Sequence, residues 1–259
     1  MSKTILITGA TSGFGRSIAA LFAQHGYGLI ITGRRAERLQ AVKQELETAH
    51  GVQVTTLQFD VRDREAVGKA MDTLEASGTQ VDILVNNAGL AAGIASIEEG
   101  NVDDWETMID TNVKGLLYVT RRIAPLMKAQ GSGHIINIGS TAGKLVYRNG
   151  NVYCATKYAV DALTQGMRID LLPYGIKVTA INPGMAETEF SLVRFKGDED
   201  RAQKVYEGFK PLQPEDIAGV VYYCATLPPH VCINDLTLTC LTQANGFYSI
   251  KEADMVRGN

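Results

Sequence analysis

Tyr153 and Lys157 stand four residues apart in Asn151-Val152-Tyr153-Cys154-Ala155-Thr156-Lys157. On a helix that spacing stacks the two side chains on one face, one turn apart. A free tyrosine has a pKa of about 10 and exchanges protons poorly at neutral pH. A lysine ammonium beside it favours the phenolate and is expected to pull that pKa towards the range useful for general acid–base chemistry. Such pairs also arise by chance on amphipathic helices, so the meaning of this one depends on what the rest of the chain brings beside it.

A second chemical signature lies near the start. Thr8-Gly9-Ala10-Thr11-Ser12-Gly13-Phe14-Gly15 follows an apolar run (3–8) and precedes an amphipathic stretch (16–25) with Ile18, Leu21 and Phe22 at helical spacing. Strand, glycine-rich turn and helix is the arrangement in which backbone N–H groups at a helix N-terminus hold a phosphate. The glycines fall as GxxxGxG, not GxGxxG. A tight turn, close approach of backbone to a pyrophosphate and close helix–strand packing are served all the same. Gly9, Thr11, Ser12, Gly13, Phe14 and Gly15 are therefore candidate cofactor contacts. About twenty residues further on, a site for NAD presents an acidic side chain to the ribose 2′-hydroxyl. Arg34 and Arg35 stand there instead, and forked guanidinium groups suit a 2′-phosphate. The expected cofactor is NADP. One of the two also begins the next helix, whose Leu39, Val42 and Leu46 face inward.

The elements that must position these groups alternate. Further strands are expected at 28–32, 54–59, 82–85, 134–138, 177–181 and near 236–240. Helices are expected from an N-cap at Asp63 to about 77, from 103 to about 127, from 151 onward and near 214–226. Asn112 falls in the middle of the long helix, an unfavoured place for a residue that prefers caps. Alternation of this kind predicts an α/β fold: a Rossmann-type three-layer sandwich with about seven parallel strands and helices on both faces. Ligands of such sheets sit beyond the carboxyl ends of the strands. The glycine turn, Arg34, Asp60-Val61, Asn87-Ala88-Gly89, Ser140 and Pro183-Gly184 each follow a strand, so all converge on one edge. There Asp60 is expected to face the adenine. A charged segment (185–210) is expected to cover the site, and the chain reads as one domain over 1–250 with a polar tail over 251–259.

Composition narrows the class. The 259 residues are 45% hydrophobic and 20% charged, with a net charge of −3, a balance that favours neither nucleic acid nor an anionic membrane as partner. No apolar run reaches the ~18 residues of a membrane span. The first residues run straight into a strand and leave no room for a signal peptide. The four cysteines, Cys154, Cys224, Cys232 and Cys240, lack CxxC spacing, and the four histidines lack HExxH spacing. A cytoplasmic protein with reduced thiols and no metal is expected.

With these pieces assembled, the sequence resembles the short-chain dehydrogenase/reductase family over essentially its whole length. The matching motifs are Thr8-Gly9-x-x-x-Gly13-x-Gly15, Asn86-Asn87-Ala88-Gly89, Asn112, Ser140 and Tyr153-x-x-x-Lys157. Asn137-Ile138-Gly139-Ser140-Thr141-Ala142-Gly143 together with Glu189-Phe190-Ser191-Leu192-Val193-Arg194-Phe195-Lys196-Gly197 resembles the family's NADP-dependent 3-hydroxy acid dehydrogenase branch, which includes enzymes acting on serine and L-allo-threonine. The resemblance implies a catalytic set of Asn112, Ser140, Tyr153 and Lys157. Tyr153 would be the acid in reduction and the base in oxidation. Lys157 would lower its pKa and hold the nicotinamide ribose. Ser140 would donate to the substrate oxygen, and Asn112 would hold a water linking Lys157 to solvent. Thr188, with the peptide groups after Pro183, would fix the nicotinamide carboxamide.

A β-hydroxy acid needs a cation for its carboxylate. Arg194 and Lys196, in the covering segment, are candidates, and Arg148 competes with them. The function expected is hydride transfer between NADP(H) and a small 3-hydroxy acid of the serine, L-allo-threonine or 3-hydroxypropionate type. A reductase of 3-oxoacyl thioesters or other bulky carbonyls would instead require a long apolar groove. A non-catalytic NADPH-binding scaffold would be expected to have lost Tyr153 or Lys157, and both are present. The family resemblance also implies a homotetramer packed through its long helices.

Overall fold

The computed structural model describes residues 3–256. Met1 and Ser2 of the expected leader-free start, and residues 257–259 of the expected tail, lie outside the described residues. Seven strands form one parallel sheet in the order β3-β2-β1-β4-β5-β6-β7. They are β1 Thr4–Ile7, β2 Gly28–Gly33, β3 Val54–Gln58, β4 Ile83–Asn86, β5 Gly133–Ile138, β6 Ile176–Pro183 and β7 Asp235–Leu238. The order reverses direction between β1 and β4, which opens a crevice beyond their carboxyl ends.

The period of two in each strand sorts its side chains between two cores. Ile5 and Ile7, Leu29 and Ile31, Ile83 and Val85 face one core, shared with helices α1 (Gly13–Gln24), α2 (Ala36–His50) and α9 (Pro214–Thr226). Leu6, Ile30, Leu84 and Ile135 face the other, shared with α3 (Arg64–Ala76), α5 (Leu116–Gln130) and the far end of α6 (Asn151–Leu171). Both faces of the sheet are thus dry, which is why its strands are continuous apolar runs. Asp63 caps α3 as expected, its Oδ1 accepting from the amides of Glu65 and Ala66 at 3.0 Å.

Two expectations are corrected. The helix expected over 103–127 is three pieces: α4 (Val102–Ile109), a π-turn over Asp110–Gly115, and α5. Asn112 lies inside the wide turn, and its amide reaches across to the Leu90 backbone. Such a bulge carries one residue beyond the α repeat and turns a polar side chain inward. The covering segment is not merely charged surface. It contains α7 (Glu189–Arg194) and α8 (Glu199–Lys204), capped by Thr188 and Asp198. The chain near the expected tail boundary is also tied back: Ile250 N donates to Thr242 O and Glu252 N to Gly208 O, each at 2.9 Å.

Candidate active site

Beyond the carboxyl edge of the sheet lies a cavity of about 510 Å³, lined from every strand end that the topology directs there. Its floor begins with the glycine turn. Gly9 and Gly13 have φ of +66° and +51°, conformations that favour glycine. Gly15 does not line the cavity. A Cβ there would stand 2.4 Å from Gly9 O and 2.6 Å from Asn87 Nδ2, so its role is to let α1 pack against the turn. Gly9, Thr11, Ser12, Gly13 and Phe14 all line the cavity. Thr8 ties this turn to the end of β4, its Oγ1 accepting from the amides of Asn87 and Ala88 at 3.0 Å. Asn87 Nδ2 in turn donates to Thr8 O and Gly9 O, which holds Asn87, Ala88 and Gly89 against the opposite lip.

Arg34 and Arg35 lie on the rim with side chains 62% and 48% exposed, open to a dianion arriving from solvent. Arg35 Nη2 donates to Thr11 Oγ1 at 3.2 Å. Glu189, the first residue of α7, lies 3.8 Å from Arg35 and 3.1 Å from Arg38. Asp60 and Val61 line the cavity, but the Asp60 carboxylate is held by a forked contact from Arg62, at 2.7–3.1 Å. Burial alone would raise its pKa; the hydrogen bonds and charge of Arg62, with Arg34 behind, turn the net shift downward. The glycines, the rim arginines and the amide lip fit an adenine dinucleotide carrying a 2′-phosphate.

At the other end α6 presents Tyr153 and Lys157, both buried, with Ser140 at the end of β5 facing the same space. Lys157 Nζ donates to Ile138 O at 2.9 Å and lies 5.9 Å from the Tyr153 ring centroid. Burial pushes the lysine down to about 8. Tyr153 moves the opposite way from expectation. Burial raises its pKa and the neighbouring Tyr147 adds to this, while the Ser140 hydroxyl and the Arg194 guanidinium offset only part. The ammonium of Lys157 is turned to a carbonyl and does not reverse the balance. Asn112 sits behind this pair. Its Nδ2 donates to Leu90 O at 2.8 Å and Thr156 Oγ1 at 3.0 Å, and its Oδ1 accepts from Leu90 N at 2.8 Å. Both amide protons are engaged, so the side chain fixes the π-turn to the β4 loop, and it does not line the cavity.

Of the candidate carboxylate cations, Arg194 alone lines this cavity. Its guanidinium carbon lies 5.6, 5.4 and 5.7 Å from the ring centroids of Tyr147, Tyr153 and Phe190. Its Nη2 donates to Tyr147 Oη, and its Nε is buried without a partner among the described residues. Lys196 instead pairs with Asp104 at 2.9 Å beside a separate, smaller cavity, and Arg148 is exposed and lines neither. Pro183, Gly184 and Thr188 line the main cavity. Thr188 Oγ1 is occupied in capping α7, accepting from Phe190 N at 3.1 Å. Sequence reasoning missed Tyr147, Phe190 and Gln243. Gln243 accepts from Met185 N at 2.7 Å and closes the wall behind Gly184. No spacing rule marks any of the three; Tyr147 stands 47 residues from Arg194, and only the fold brings them together.

A glycine turn, an arginine rim and a serine–tyrosine–lysine group in one crevice define a dinucleotide-binding α/β protein with an acid–base centre. The short chain dehydrogenase family model matches residues 3–198, and the chain belongs to that family. It is 51% identical over 241 residues to the NADP-dependent 3-hydroxy acid dehydrogenase of Salmonella typhi, covering 93% of this chain and 96% of that one. It is 44% identical over 255 residues to the serine 3-dehydrogenase of Agrobacterium fabrum, covering 98% and 100%. A solved serine dehydrogenase, in its closed form with NADP+, superposes with a TM-score of 0.90 at 47% identity, covering 96% of this chain and 99% of that one.

Proposed function

We propose that the protein is an NADP-dependent oxidoreductase that moves a hydride between NADP(H) and C3 of a small 3-hydroxy acid of the serine, L-allo-threonine or 3-hydroxypropionate type. The observation that carries this is Arg194: a guanidinium with a buried, unpartnered Nε, stacked over the ring of Tyr153 inside the catalytic cavity. An unpaired donor on a buried cation is costly unless an anion meets it. The names of the relatives at 51% and 44% identity point to the same chemistry. Arg194, Tyr147 and Phe190 line the cavity beside Tyr153, and a guanidinium there favours a small acid over a long acyl chain.

The nicotinamide, when bound, supplies the hydride chemistry. The chain supplies the rest. Arg34 and Arg35 hold the 2′-phosphate, and the glycine turn holds the pyrophosphate. Ser140 donates to the substrate oxygen. Tyr153 takes the hydroxyl proton in oxidation and returns it in reduction. Lys157 holds the ribose hydroxyls, and Arg194 holds the carboxylate three bonds from the reacting oxygen. For serine the oxidised product is a β-keto acid that readily loses carbon dioxide.

NADPH formation is the test, with NADP+ and NAD+ compared on L-serine, D-serine, L-allo-threonine and 3-hydroxypropionate. Turnover is expected with NADP+ and with the small acids. Arg194→Ala is expected to raise KM for the acids about 10- to 100-fold, the loss of one charge-assisted bond. Equal loss on an uncharged alcohol such as 1-propanol would sink the carboxylate role. The same reading carries a homotetramer and a cytoplasmic location. Isolated protein is expected to sediment as a tetramer, and a monomer at micromolar concentration would overturn that part.

A further inference from the structure

We propose that Tyr147 is a second substrate-binding residue, whose hydroxyl donates to the same carboxylate that Arg194 holds. Two tyrosines under one guanidinium then read the two ends of the molecule, Tyr153 the C3 oxygen and Tyr147 the C1 carboxylate. The inference rests on the 3-hydroxy acid reading above and names the part of the site that measures the substrate.

Three observations carry it. First, Tyr147 lines the catalytic cavity and receives a hydrogen bond from Arg194 Nη2, while its own proton has no acceptor among the described residues. A phenol that accepts from a cation is a stronger donor through its remaining O–H. Burial raises its pKa against the opposing pull of Arg194, so the proton to be donated stays on. Second, its place is built. Tyr147 packs against the cluster of Ala91, Met108, Ala142, Tyr153 and Cys154. A Cβ on Gly150 would stand 2.1 Å from its ring edge, so glycine there leaves room for this ring. Third, the two rings share one cation. The same guanidinium carbon lies 5.6 Å from the Tyr147 ring centroid and 5.4 Å from the Tyr153 ring centroid, so both phenols border the group that would hold the carboxylate. In a 3-hydroxy acid the hydroxyl oxygen and the carboxylate carbon are three bonds apart, roughly 4 Å when extended. A 2-hydroxy acid is one bond shorter between these groups, and a 4-hydroxy acid one bond longer.

The test is Tyr147→Phe, which keeps the ring and removes only the donor. In the wild-type background KM for 3-hydroxypropionate is expected to rise about tenfold, with kcat changed far less and NADP+ affinity by fluorescence titration unchanged. The ratio of kcat/KM for 3-hydroxypropionate over 4-hydroxybutyrate is expected to fall with it. A purely structural pillar for Arg194 would give a similar first result, so the variant is repeated on Arg194→Ala. A further rise in KM there is expected of a residue that touches the carboxylate; no further change would overturn the assignment, as would an unchanged KM in the single variant. Wild-type protein that oxidises 1-propanol but no 3-hydroxy acid would overturn the functional reading itself, and this inference with it. Active wild type with an indifferent Tyr147→Phe would overturn this inference alone.

Discussion

Tyr153 keeps its proton because burial outweighs the Ser140 hydroxyl and the Arg194 guanidinium. In the role proposed for Tyr153, oxidation needs the phenolate, and below its pKa the phenolate fraction rises tenfold per pH unit. The kcat/KM for oxidation of a 3-hydroxy acid is therefore expected to climb through the mildly alkaline range, and that for reduction of the oxo acid to fall. Tyr153→Phe should cost roughly 10²- to 10⁴-fold in kcat, the usual weight of one acid–base group, and should flatten the profile. A profile that survives the substitution would assign the titration elsewhere. The rim arginines give a separate test. Arg34→Ala with Arg35→Ala is expected to weaken NADP+ about tenfold or more and to leave NAD+ affinity unchanged. Equal weakening of both cofactors would remove the arginines from the 2′-phosphate site. Their place on the rim was legible from sequence because it depends only on residue type at the end of β2. The balance on Tyr153 was not, since it depends on how deeply a folded protein encloses the ring.

α6 brings Tyr153 and Lys157 to the cavity only because its start is shaped to fit. Gly150 has φ −99°, which any residue adopts, so its sole requirement is space for the Tyr147 ring. Gly150→Ala is thus expected to displace that ring, raising KM for the acids several-fold with little change in NADP+ affinity; a KM unchanged from wild type would show that the loop gives way instead. The elements most exposed to such tertiary effects were also those least legible in the chain. Apolar runs at period two located each strand to within a residue or two. The register of the Asn112 turn could not be found this way, because a π-turn keeps helical composition and differs only in its hydrogen bonds. α7 and α8 were hidden for a different reason. Each is six residues long, too short for its periodicity to stand out from a charged segment.

The parallel sheet accounts for what sequence could foresee about the site, since it sends residues 175 positions apart, Gly9 and Gly184, to one edge. It also buries one titratable group far from the chemistry. His134, at the start of β5, is pushed down to about 3 by burial, with Lys177 adding to the effect, and its Nδ1 has no partner. Its pKa is lower folded than unfolded, so between about 3 and the ordinary value near 6.5 the unfolded chain binds the extra proton. Stability from this group is full above that window and is lost as pH falls through it, at up to ~1.4 kcal/mol per pH unit. Urea midpoints of the wild type should fall on acidification more steeply than those of His134→Gln, and parallel curves would clear His134 of the effect.

Glu189 and Arg194 are the first and last residues of one six-residue helix. The first pairs with Arg35, one of the two arginines that would receive the 2′-phosphate, and with Arg38, and the last overlies Tyr153. A rod so short has no slack in which to absorb a shift at one end. If α7 moves as one body, the work a phosphate does in drawing Arg35 away from Glu189 is transmitted to Arg194. Reciprocity then requires the acid substrate to alter affinity for the dinucleotide by the same factor. NADP+ and its co-substrate would bind as correlated variables, while NAD+, lacking the phosphate, would bind without that correlation.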